Sequence, residues 1–282
     1  MSRLVRALTS SDMYQRLRAS LLYDIYWRLA NPAIIRARDA DVLLYRQVLE
    51  GLHPSALIFD VGANHGAKVD VFLRLGARVV AFEPDLRNQQ ILRAKFLKYR
   101  LSALPVRIDG RAVAESDSTR TMWIEQPGSA KNTLNPKWVD VLSSNANRFG
   151  YRPTFEASAV VETATVDRLI DTYGHPFFVK IDVEGLELSV LRGLSRAVPF
   201  LSFEVNLPEF LEEGLECIQR LEAIHAGGRF NLTLDGRPEL ALSSWVAMDE
   251  LRQALLKTRS ASVEVFWRSG LDSVRGQVPD RP

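Results

Sequence analysis

Cysteine is almost absent from these 282 residues: Cys217 stands alone. A lone thiol excludes an internal disulfide and any cysteine-rich zinc site. It fits a reducing compartment, and the chain is expected in the cytoplasm. Histidine is scarce too. Of His53, His65, His175 and His225, only His65 stands inside a motif. Charge of one sign is lacking: 36 Lys and Arg against 34 Asp and Glu leave a net +2, too little to point to a nucleic-acid partner. No run approaches the ~18 apolar residues that a membrane span needs. Arg3 and Arg6 open the chain with no apolar core behind them, so no signal peptide is expected. What is there is an ordinary globular composition, 46% hydrophobic and 25% charged. It can bury a sizeable core in one large or two small domains.

Glycine is missing at two telling places. The run Leu57-Ile58-Phe59-Asp60-Val61-Gly62-Ala63-Asn64-His65-Gly66 reads as a strand and a polar turn. A helix follows, with Val69, Phe72 and Leu73 on one face. Glycine admits positive φ and close approach of a ligand. The amides at the next helix's N-terminus favour a negative group. A second strand, Arg78 to Phe82, ends in Glu83-Pro84, 21 positions beyond Gly62. An acid at that distance can accept hydrogen bonds from two ribose hydroxyls. A dinucleotide fold wants G-x-G-x-x-G, yet Asn64 stands at the second glycine and Ala67 at the third. The pattern therefore favours S-adenosyl-L-methionine, which has a ribose and no phosphate, over a dinucleotide. Its amine is one that Asp60 could hold.

Residues 1–50 read as an N-terminal helical extension, and 51–282 as the nucleoside-binding domain. Seven arginines and two acids lie between Met1 and Arg38. Leu17, Leu21, Ile25 and Leu29 form a stripe beside several aromatics. Such a helix packs on the domain or pairs with a second copy, a homodimer; peripheral membrane contact is the alternative. Asn31-Pro32 reads as a break, with a second helix from Asp39 to Leu49. Beyond Pro84-Asp85, Leu92, Phe96 and Tyr99 share a helical face. Val106 to Ile108 is a short strand, and Asp109 or the backbone near Ala112 is placed to meet an adenine. Thr121 to Ile124 is a small added strand. Residues 125–154 are irregular and polar, a lid or substrate loop, with one short helix around Trp138, Val139 and Leu142. Strand and helix then alternate, which favours a mainly parallel sheet covered on both faces. Phe230 to Leu234 and Val263 to Trp267 are expected as an antiparallel pair at one edge.

Alternation along a strand puts Lys180 and Asp182 on one face, and Ser202, Glu204 and Asn206 on one face of the next. Buried charges need partners. Either they pair, with Lys180–Glu204 as an ion pair, or they face a ligand. Asp182, Glu184, Glu204 and Asn206 are also hard oxygen ligands suited to Mg²⁺. Lys180 on the Asp182 face competes as a cation, so a metal-free site is expected.

These residues carry a family resemblance. Asp60 to Gly66, Phe82-Glu83-Pro84, Thr165-Val166-Asp167-Arg168-Leu169, Lys180-Ile181-Asp182-Val183-Glu184-Gly185 and Phe203-Glu204-Val205 resemble the FkbM-type S-adenosylmethionine-dependent methyltransferases over about residues 45 to 206. The resemblance implies an α/β, Rossmann-like, seven-stranded, mainly parallel sheet whose last strand is antiparallel. It implies methyl transfer to an oxygen, usually a hydroxyl of a sugar, glycan or other natural product. Carried over, Asp60, Gly62, Asn64 and Gly66 line the methionine end, Glu83 holds the ribose, and Asp182 and Glu184 border the transfer site. Asp182 is the first candidate for base or orienter, with Glu204 and Lys180 next. The alternatives are a non-catalytic binding or scaffold protein on the same fold, and a dinucleotide-dependent oxidoreductase.

Overall fold

The alternation of apolar strands and amphipathic helices is realised as three layers in the computed structural model, which describes residues 32–97, 106–144 and 151–271. The stripe at Leu17, Leu21, Ile25 and Leu29 lies outside the described residues, as does Tyr99. Helix α1 (Pro32–Val48) begins seven residues before the expected start at Asp39. Proline has no N–H and a fixed φ, which suits the first turn of a helix. Pro32 therefore opens this helix.

The first half of the chain continues with β1 (Leu57–Val61), α2 (Ala67–Arg74), β2 (Arg78–Phe82), α3 (Leu86–Lys95), β3 (Val106–Asp109), β4 (Ala112–Val113), β5 (Ser118–Ile124) and α4 (Pro136–Ser144). The second half holds β6 (Ala157–Ala164), α5 (Val166–Tyr173), β7 (Phe178–Ile181), α6 (Glu187–Arg192), β8 (Phe200–Asn206), α7 (Leu211–Ile224), β9 (Arg229–Leu234), α8 (Met248–Lys257) and β10 (Ser262–Arg268). Seven strands form one sheet in the order β3-β2-β1-β7-β8-β10-β9. The pairs from β3 to β8 are parallel. β10 runs antiparallel to both neighbours. β9 and β10 pair as expected, with β10 one place in from the edge. The chain leaves β1 in one direction and returns to β7 on its other side. This is the switch point at which open α/β sheets bind ligands.

Strand alternation sorts the core. Phe59, Val61, Val179, Ile181, Leu201, Phe203, Val263 and Val265 face α5 to α8. Ile58, Val79, Ala81, Phe178 and Phe266 face α1, α2 and α3, around Tyr45, Phe72 and Phe96. Each large apolar side chain buried in this way contributes roughly 1.5–3 kcal/mol. Among the described residues, side chains cap three helix starts: Asp85 accepts from Arg87 N and Asn88 N, Asn135 from Lys137 N, and Thr165 from Arg168 N. Such caps satisfy amides that the helix itself leaves open.

A second sheet of three strands, ordered β4-β6-β5, stands apart from the sequence expectation, which had only part of β5. β5 and β6 are half-exposed and carry too little apolar alternation to announce their pairing, and β4 is only two residues long. Among the described residues, no helix is long and apolar enough to cross a membrane.

Candidate active site

At the carboxyl end of β1 the chain turns at Gly62, whose φ is +83°. A Cβ there would lie 1.8 Å from the carbonyl oxygen of Asp182. Only glycine lets the two turns meet this closely. Asn64 follows in the left-handed region, φ 47°. The turn is tied from below by Lys95, whose Nζ donates to the carbonyls of His65 at 3.0 Å and Gly66 at 2.8 Å. Glu83, at the tip of β2, accepts from Asn64 N at 2.7 Å and from Asp85 N at 2.9 Å. The acid thus locks the glycine turn to the start of α3. Burial pushes Glu83 up to about 7 against these amides.

The loop after β7 supplies the other side. Glu184 has φ 54° and Gly185 φ 92°, so the backbone reverses within two residues. Glu187 holds the reversal, with Oε1 accepting from Val183 N at 3.1 Å and Gly185 N at 3.3 Å. Trp138 Nε1 donates to Glu184 Oε2 at 2.8 Å. Thr133 Oγ1 donates to the Glu184 carbonyl at 3.0 Å. The 125–138 segment is tied at its other end to Asp85, whose Oδ2 accepts from Asn132 Nδ2 at 2.7 Å and Gly128 N at 3.1 Å. It bridges the two turns.

Between them lies a cavity of about 320 Å³. Its wall includes Gly62, Asn64, Glu83, Asn88, Arg111, Ala112, Asn132, Thr133, Asp182, Glu184 and Glu204. Of the residues singled out from sequence, Gly62, Asn64, Glu83, Asp182, Glu184 and Glu204 thus meet at one place. Asp60, Gly66, Asp109, Lys180 and Asn206 are not in that wall. Gly66 precedes α2 and packs against Leu92 and Phe96. The Asp109 carboxylate is taken by Arg111 and by Tyr173 Oη, the latter at 2.9 Å. Asp60 is 1% exposed and sits opposite Lys180 in the β1–β7 register. Burial pushes it up to about 6, against the pull of Lys180.

The expected Lys180–Glu204 pair is replaced by another. Lys180 Nζ lies 2.7 Å from Asp182 Oδ2, and the side chains are 5% and 37% exposed respectively. The lysine is sealed behind the wall while its carboxylate opens into the cavity. Burial opposes charge on Lys180, but Asp182, Glu264 and Asp60 outweigh it and raise its pKa. Burial likewise opposes charge on Asp182, yet Lys180 and a hydrogen bond from Glu204 hold it below the usual carboxylate range. Glu204 goes the other way: burial, then Asp182 and Glu184, push it up to about 9. Burial and Asp182 push Glu184 up to about 8. Neighbouring acids with values driven apart divide the protonation states at neutral pH. Among the described residues, no three His, Cys, Asp or Glu side chains are arranged to hold a metal ion.

Glu204 makes stability pH-dependent. Its folded value lies above its ordinary one, so its contribution is full in acid and is lost as pH climbs towards about 9. Glu204→Gln stays neutral in both states. The ligand-free variant should therefore gain on the wild type as pH rises, by about 2 kcal/mol, or roughly 4–8 °C in Tm, near pH 8. Scanning calorimetry at about pH 5.5 and pH 8 checks this; melting curves that stay parallel would refute it.

Several residues in the cavity wall or holding it carried no signal in the sequence. Asn88 could have been found from its place in the first turn after Glu83-Pro84-Asp85. Asn132, Trp138 and Arg111 could not, because their partners are fixed only by the tertiary fold.

Sheet order, glycine turn and strand-tip acid together define a Rossmann-like methyltransferase fold. The chain belongs to the methyltransferase FkbM domain family, which matches residues 60–255. Its cofactor is S-adenosylmethionine, and the dinucleotide alternative falls. The residues present fit that cofactor: Asn64 Oδ1 and Asn88 Oδ1 are buried in the wall without a partner, beside the Glu83 carboxyl. Among solved structures, the chain is similar to precorrin-6y C5,15-methyltransferase from Geobacter metallireducens GS-15, at 11% identity over 82% of this chain and 87% of that one, TM-score 0.39. It is also similar to the C-terminal domain of precorrin-6Y C5,15-methyltransferase from Rhodobacter capsulatus, at 13% identity over 82% and 88%, TM-score 0.40. A third is the plantazolicin methyltransferase BpumL in complex with SAH, at 9% identity over 95% and 98%, TM-score 0.38. Each is a distant likeness. No curated protein matches the sequence.

Proposed function

We propose that this methyltransferase transfers the methyl group to a hydroxyl oxygen of a sugar, glycan or other natural product. The observation that carries this reading is the Asp182 carboxylate. It is ionised, fixed by Lys180 at 2.7 Å, and open to the cavity that Glu83 and the glycine turn also line. When bound, S-adenosylmethionine supplies an already activated methyl group. The chain must then hold an oxygen in line with it and take up one proton. Alignment can account for several kcal/mol of the barrier. Glu83, with Asn64 and Asn88 beside it, would hold the ribose and its neighbours, and the turn at Gly62 would let the aminoacyl end approach the backbone. Asp182 would accept the hydroxyl's hydrogen bond and then its proton. It is a weak base, but the oxygen becomes strongly acidic as it gains the methyl, so a weak base suffices.

Turnover with hydroxylated acceptors, read by mass as the gain of one methyl on oxygen, tests the proposal. Cofactor binding with no turnover across such a panel would favour the scaffold reading. Glu83→Ala should weaken S-adenosylhomocysteine by about 1.5–3 kcal/mol, the range for a hydrogen bond to a charged group. Calorimetry that finds unchanged affinity would move the ribose site elsewhere.

A further inference from the structure

The wall of the cavity also bears on the acceptor's charge. Carboxyl groups reach it from three places: Glu83 after β2, Asp182 and Glu184 after β7, and Glu204 on β8. Among the described residues, Arg111 is the only basic side chain in the wall. Its guanidinium is already fastened to Asp109, with Nε 3.0 Å from Oδ1 and Nη2 on Oδ2. Lys180 is spent on Asp182 behind the wall. Glu184 is aimed and held, by its left-handed backbone, by Trp138 Nε1 on its carboxyl and by Thr133 on its carbonyl.

We infer that this cavity, if the O-methyl-transfer reading above holds, takes an uncharged hydroxylated acceptor and refuses one that carries a phosphate or a carboxylate. An anionic group would need free N–H donors and would instead meet the carboxyl groups of Asp182, Glu184 and Glu204, with Glu83 given to the ribose. Among the described residues no unpaired side-chain cation lines the wall to meet its charge, and taking a charge out of water without a partner is costly. A cationic acceptor gains little either. Burial keeps Glu184 and Glu204 protonated at neutral pH, with values of about 8 and 9, and the Asp182 charge is already met by Lys180. A protonated carboxyl both donates and accepts, as a hydroxyl does. The wall is therefore matched to hydroxyl groups.

The test uses the purified full chain with S-adenosylmethionine and four matched acceptors: a methyl hexoside, its phosphate monoester, its uronic acid and its amino analogue. Methyl gain is read by mass, with the site located by fragmentation. The expected result is O-methylation of the neutral hexoside, with kcat/KM about 100-fold above the phosphate and the uronic acid. Anionic members turned over within about tenfold of the neutral one would overturn the inference and leave the O-methyl reading standing. Methyl gain on the amine nitrogen alone would overturn the O-methyl reading. No gain on any member, with S-adenosylhomocysteine still bound, would overturn the sugar-acceptor reading and this inference with it. A second arm uses Glu184→Lys. Within one preparation, the ratio of phosphate to neutral turnover should rise at least about tenfold, and that ratio does not depend on the fraction folded. An unchanged ratio would overturn the selecting role given to Glu184.

Discussion

Asp182→Asn should lower kcat by about 10²–10⁴-fold, the usual contribution of a positioned proton acceptor, while S-adenosylhomocysteine affinity stays within a few-fold. The substitution keeps the side chain's shape and its carbonyl oxygen, so Lys180 retains a hydrogen-bond partner. What it removes is the site that takes the proton. The wild-type side chain is 37% exposed towards the cavity, while the lysine beside it is 5% exposed, so an acceptor can reach the one and not the other. The sign of the pH dependence follows from the lowered value of Asp182. Its carboxylate stays ionised well into the acid range, so the wild-type rate should not fall between about pH 8 and pH 5 through this group. Steady-state kinetics with the best acceptor of the panel decide it. A variant within about fivefold of wild type would show that water or another carboxyl takes the proton.

The contrast between Asp182 and Glu204 also shows how much of the site was legible in the chain. Motif spacing placed Gly62, Glu83, Asp182, Glu184 and Glu204 at strand tips, and the parallel sheet brought those tips together. Strand alternation put Lys180 and Asp182 on one face, and they are bonded. Alternation does not say which neighbour a buried lysine will choose. Lys180 stands opposite Ser202 in the β7–β8 register, not opposite Glu204, and the nearer acid on its own strand wins. The roles of Trp138 and Asn132 were illegible for another reason. Each meets a partner more than forty positions away, Glu184 and Asp85, and no local pattern encodes that meeting. Asp109 stands at the tip of β3 as expected, but its carboxylate is taken up by Arg111 two residues on and by Tyr173, which the strand pattern alone does not encode.

The buried row behind the wall was also hidden. Tyr45 Oη and Ser202 Oγ each donate to Glu264 Oε1 at 2.8 Å. Tyr45 comes from α1 and is fully buried, so the first described helix is part of the layer that supports the site. Glu264 lies on the antiparallel strand opposite Glu204, and both it and Asp60 contribute to the charge held on Lys180. One lysine therefore answers three acids, and this arrangement sets the largest stability effect expected in the molecule.

Lys180→Met should destabilise the fold by about 3–5 kcal/mol at neutral pH, the cost of stripping one partner from a buried ion pair. Methionine fills most of the space, so little of the loss comes from a cavity. The loss comes from Asp182, Asp60 and Glu264, which would be left with only the weaker pull of Lys68, itself paired with Asp41. Asp182 would lose the main group that holds its value low, and Asp60, already raised by burial, would lose the pull of Lys180 that opposes that rise. A raised acid contributes its stability in acid and loses it as pH increases, so the deficit should be larger at about pH 8 than at about pH 5. Urea titrations at both values measure it, and the double variant with Asp182→Asn should recover part of the loss, as expected for two groups in contact. A deficit equal at the two pH values, with no recovery in the double variant, would mean that Lys180 serves as packing and that the Asp182 charge is held by something else.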